Sequence, residues 1–104
     1  METVKYVPDL LALTGEIPEQ SIVSRTFHTG EAARAMIFGF AAGEELSEHT
    51  STKTAIIHIL SGEAKLKLGE EEHMAKAGAW AYMPPNLPHS VFAISEVRML
   101  LLMF

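Results

Sequence analysis

The chain has 104 residues, a formal net charge of −5, 48% hydrophobic residues and no cysteine. That length fits one domain around one core, and the lack of cysteine excludes disulfides, thiolate catalysis and cysteine-type zinc sites. The eight Lys and Arg are scattered among thirteen Asp and Glu, which excludes the clustered positive charge that nucleic acid binding needs.

Residues 1–20 carry Pro8, Gly15 and Pro18 around a short apolar cluster of Leu10, Leu11 and Leu13, and read as an N-terminal arm, irregular or with one helical turn. Residues 21–104 read as a single β domain. Ser21–His28 is rich in β formers and predicts a strand. After the Thr29-Gly30-Glu31 turn, Arg34–Ala41 predicts a second strand, with Met36, Phe38 and Phe40 on one face and Ile37 on the other. Leu46–Ser51 is a short strand bearing His49. Ala55–Leu60 is an almost unbroken apolar run, the pattern of a strand covered on both faces. In Ala64–Leu68 alanine and leucine alternate with Lys65 and Lys67, so one face is wet. Gly69 with Glu70, Glu71 and Glu72 reads as an acidic, solvated hairpin tip, and His73–Ala75 begins the return. Trp80–Met83, His89–Ile94 and Val97–Phe104 complete nine short strands with glycine or proline punctuation, the pattern of a sandwich or barrel.

No apolar run approaches the roughly 20 residues that cross a bilayer. The opening METVKYVPDLLAL has acids and a proline where a leader peptide needs a basic and then an apolar run. The expectation is a cytoplasmic protein without a membrane partner. High apolar content in so small a domain also points to a buried subunit contact, hence a homodimer. A polar change in the last strand, at Leu101, is the natural probe of such a contact.

Two stretches carry the chemistry. In the first, Gly43 is followed by His49, Ser51, Ala55 and Gly62; in the second, Gly78 is followed by Pro84, Asn86, His89 and Ala93. These spacings resemble the two motifs of the cupin superfamily, in particular its small single-domain, conserved-barrel members, over most of the chain from about Ser21 onward. The first motif reads glycine, five residues, His-x-His, three or four residues, Glu, six residues, Gly. Gly43, His49 and Gly62 match it, while Ser51 replaces the second His and Ala55 the Glu. The second reads glycine, five residues, Pro-x-Gly, two residues, His, three residues, Asn. Gly78, Pro84 and His89 match it, while Asn86 replaces the Gly and Ala93 the Asn.

The resemblance implies an all-β jelly-roll barrel, commonly dimeric, with a pocket in its mouth. It also implies a metal site of three His and one Glu, of which only His49 and His89 remain. Imidazole and carboxylate suit divalent transition metals such as Fe, Mn, Ni or Zn, so a two-His remnant predicts weak metal binding. Ser51, Ala55, Met36, Phe38 and Tyr82 are the expected lining of a pocket for a small-molecule ligand. His58 lies three residues beyond Ala55, an odd offset that puts it on the opposite strand face. His73 and His28 read as solvent or interface residues.

Three functions stand open. One is a small-molecule-binding barrel with or without a loosely held metal. Another is a metal-dependent enzyme of dioxygenase or isomerase type, which lacks its Glu. The third is a structural dimer with a vestigial pocket.

Overall fold

The computed structural model describes residues 3–104; Met1 and Glu2, at the start of the arm, lie outside the described residues. Nine strands form: β1 (Ile22–Thr29), β2 (Arg34–Phe40), β3 (Glu45–His49), β4 (Ala55–Ser61), β5 (Glu63–Leu68), β6 (Glu71–Lys76), β7 (Trp80–Met83), β8 (His89–Ala93) and β9 (Val97–Met103). They make two antiparallel sheets, one ordered β1-β2-β9-β4-β7 and the other β3-β8-β5-β6. From β2 to β5 and from β6 to β9 successive strands alternate between the sheets, while β1–β2 and β5–β6 are hairpins within one sheet, and the chain wraps a jelly roll. No helix among the described residues is long and apolar enough to cross a membrane.

Strand periodicity sorts the side chains. In β4 the inward residues Ala55, Ile57 and Ile59 are nearly sealed, and they pair in register with Met103, Leu101 and Met99 of β9. From the other sheet Leu66, Val91, Ala64 and Ala93 meet them in one continuous core with Phe40, Met83 and Val97. Burying each such large aliphatic or aromatic side chain stabilises the fold by about 1.5–3 kcal/mol. Leu101 belongs to this inner face, packed against the core. An outer contact on the last strand therefore rests on Leu100 and Leu102, which pair with His58 and Ile56. His58 is on the outer face, as its odd offset from Ala55 predicts.

The outer face of the five-stranded sheet is partly covered by the arm. A 3-10 turn at Leu10–Thr14 is opened by Asp9, whose carboxylate accepts from the Leu11 N–H at 3.1 Å. Arg98, on the outer side of β9, fastens this turn. Its Nε donates to Thr14 Oγ1 at 2.9 Å, its Nη2 to the Gly15 carbonyl at 3.0 Å, and its Nη1 pairs with Glu96 at 2.9 Å. Ile17 is buried directly over Gly39, where any side chain would collide with it. Gly39 is thus the flat spot in β2 on which the arm seats.

Two turns repay the motif spacings. Gly62, between β4 and β5, has φ +86, and a Cβ there would run into the Glu96 carbonyl oxygen. Asn86, in place of the second motif's glycine, keeps the left-handed backbone at φ +67, which Asn tolerates better than most residues. Its N–H donates to the Ser51 carbonyl at 2.6 Å, joining the β7–β8 loop to the β3–β4 loop.

The acidic stretch after Gly69 differs from its expected role. Only Gly69 and Glu70 form the loop, because Leu68 and Glu71 already pair across it. A glycine as the first of two loop residues is the hairpin geometry that continues strand twist. Glu71, Glu72 and His73 therefore belong to β6, an edge strand, where charge guards an unpaired edge.

Candidate functional site

His49 and His89 are direct register partners across β3 and β8. Their ring centroids are 4.2 Å apart with the planes tilted by 58°. His89 is on the inner face with Val91 and Ala93 and is 7% exposed, whereas His49 is exposed at the rim. His49 reaches that face through a bulge. Leu46 pairs with Val91 and His49 with His89, so β3 carries one more residue than β8 in this interval. At an offset of three, plain alternation would put Leu46 and His49 on opposite faces, and the bulge brings both to the inner one.

Both rings are held in the same way. His49 Nδ1 is 2.8 Å from the Ser47 carbonyl and His89 Nδ1 is 2.8 Å from the Leu87 carbonyl. A carbonyl only accepts, so each Nδ1 carries the hydrogen and each neutral ring presents Nε2 as a lone pair. Burial pushes His89 below the ordinary histidine value, and the His49 charge adds to that effect, while the Leu87 carbonyl opposes it.

The remaining expected residues are placed differently from one another. Ala55 opens β4 on the inner face, 4% exposed, between Met83 and Met103. Ser51 is half-buried in the β3–β4 loop, and its hydroxyl is occupied by the Lys53 N–H at 3.1 Å. Met36 and Phe38 share the inner face of β2 with their β9 partners Leu101 and Met99. Phe38 also stacks on Phe40, with centroids 6.1 Å apart. Tyr82 separates from this group. It pairs with Ile56 on the outer face, is 56% exposed, and lines a different cavity at the β6–β7 edge.

The inner face of the smaller sheet can be read row by row. One row runs His49, His89, Leu68, Glu71, and the next runs Leu46, Val91, Leu66, His73. The row thus contains a carboxylate, but two strands away from His89, or about 10 Å at ordinary strand spacing. Leu68 stands between them. Among the described residues no three His, Cys, Asp or Glu side chains gather to hold a metal. The donor set is two imidazoles without a carboxylate, and it does not fit a resident catalytic metal. His73 is exposed, as expected; its place on the inner side of the edge strand beside Glu71 is revealed only by the strand pairing.

A family model described as the cupin domain matches residues 36–104. The chain belongs to the cupin family. This cupin is similar to a conserved protein of unknown function from Streptococcus pyogenes at 28% identity, covering 99% of this chain and 89% of that one, with a TM-score of 0.83. It is similar at 30% identity to a cupin 2 conserved barrel domain protein from Leptotrichia buccalis, over 88% of this chain but 45% of that one, with a TM-score of 0.78. A predicted oxalate decarboxylase from Thermotoga maritima shares the fold at 19% identity, over 80% of this chain and 79% of that one, with a TM-score of 0.73. No curated protein matches this cupin.

Proposed function

We propose that this cupin binds a small organic molecule at the inner face beside His49 and His89, with Ser51, Ala55, Met36 and Phe38 as the surrounding surface. The observation that carries this reading is the pair of backbone-fixed imidazoles, one buried and one at the rim, each offering an Nε2 lone pair. Two preset acceptors suit a ligand that brings hydroxyl or amide donors. A divalent ion is held here only loosely, with water completing its shell.

The oxalate decarboxylase description of the Thermotoga relative is not carried over. Ala55 stands at the carboxylate position of the resemblance, and Glu71 lies beyond Leu68. An enzyme reading would instead rest on His89, kept neutral by burial and suited to accept a proton from a bound ligand.

A thermal-shift screen of metal-free protein tests the binding reading. A ligand at a hundredfold excess over Kd stabilises by about 2.7 kcal/mol, roughly 10 °C in a domain of this size. The expected hits lose their effect in His49→Ala, an exposed position that folding tolerates. Hits that stabilise His49→Ala equally well would overturn the reading. Elemental analysis of untagged protein is expected to find metal well below one per chain.

We also infer that two copies pair through the outer face of the larger sheet, where half-buried Ile56, His58, Leu100 and Leu102 lie beyond the arm.

A further inference from the structure

At the edge farthest from the histidine pair, β6 ends one sheet and β7 ends the other. Between them is a cavity of about 650 Å³, within the size range of small-molecule sites. Its floor is apolar, made by Leu66, Leu68 and Leu87. One wall is polar, because Glu71 and His73 are the register partners of Leu68 and Leu66 and share their face. His73 Nε2 and Glu71 Oε1 are 3.1 Å apart, and among the described residues no hydrogen bond reaches Glu71 Oε2. Trp80 and Tyr82, both largely exposed, line the opposite rim.

The charges around this cavity are sorted by the pleat. No Lys or Arg lines it. Lys65, Lys67 and Lys76 alternate with the floor residues and face the other side of the sheet, where Lys65 pairs with Glu72 and Lys67 with Glu48. What remains is one carboxylate with a free oxygen, two aromatic rings and an aliphatic floor. A carboxylate on one wall with aromatic rings on the other draws in a cation, and the floor selects an apolar body attached to it.

We propose that this edge groove binds an organic cation, a primary amine on an apolar body, with its ammonium donating to Glu71 across the groove from Trp80 and Tyr82 and its body on Leu66, Leu68 and Leu87. The site is independent of the histidine pair, because Leu68 separates the two along one cross-strand row.

Trp80 is the only tryptophan in the chain and reports on the groove directly. Phenethylamine titrated into the full chain is expected to change Trp80 fluorescence saturably, and 3-phenylpropionate, the same skeleton with a carboxylate, is expected not to. Glu71→Gln should weaken the amine about tenfold, the usual scale of a lost charge-assisted hydrogen bond. Glu70→Gln, a neighbouring acid outside the lining, should leave the titration unchanged. Equal responses to amine and acid would overturn the proposal, as would a Glu71→Gln titration matching that of the unaltered chain. A fluorescence that no amine perturbs, as when a second copy covers the groove, would overturn it too.

Discussion

A carboxylate restored at position 55 would return the third donor that the resemblance places beside the two imidazoles. Ala55→Glu should tighten Mn(II) or Ni(II) binding at least tenfold, about 1.4 kcal/mol, as read by calorimetric titration. Overpacking the 4%-exposed site should cost about 1–3 kcal/mol of folding stability. Unchanged metal affinity would mean that β4 does not face the pair closely enough. His89 supports a pH prediction. Its value is lowered from 6.5 in the fold, so the unfolded chain binds the extra proton first as pH falls. Stability of the metal-free protein should thus be complete above about pH 6.5 and decline below it. His89→Gln should flatten that decline, measured as urea midpoints against pH. The two histidines and the missing Glu were legible from motif spacing alone. The common tautomer was not, because it depends on carbonyls that only the folded backbone brings to Nδ1.

Among the elements, the arm depends on one side chain more than on its own turn. A five-residue 3-10 turn has little stability alone, and Arg98 gives it two bonds at once while Glu96 holds the guanidinium in place. Arg98→Ala should cost about 1–3 kcal/mol and should speed proteolysis within residues 3–17 while leaving the barrel intact. Equal protease resistance in both proteins would show that Ile17 on Gly39 suffices. All nine strands could be read from the sequence because glycine and proline separate them and their apolar residues alternate. The start of β6 could not, since Glu71 and Glu72 in an edge strand have the composition of a turn. Nor does any residue type announce the bulge in β3.

At the scale of the molecule, the jelly-roll architecture came from the resemblance and not from periodicity, which reports faces but not neighbours; the strand order came only from the structure. The proposed pairing of copies belongs to this scale. Leu102→Glu places a charge on the outer face without touching the core. It should convert a dimer to a well-folded monomer on sizing with light scattering. An unchanged mass would remove that face from consideration. Leu101→Glu, by contrast, should unfold the chain, because it buries a charge against Met36 and Ile57.

The bulge between Leu46 and His49 makes the histidine pair a matter of counting. A single-residue deletion at Ser47 or Glu48 would take out the bulge and leave the histidine two residues after Leu46, so plain alternation would still set it opposite His89. A five-residue strand shortened in this way reaches the same pairing without any irregularity. Relatives that keep both histidines but are one residue shorter there are therefore expected to keep the pair as well.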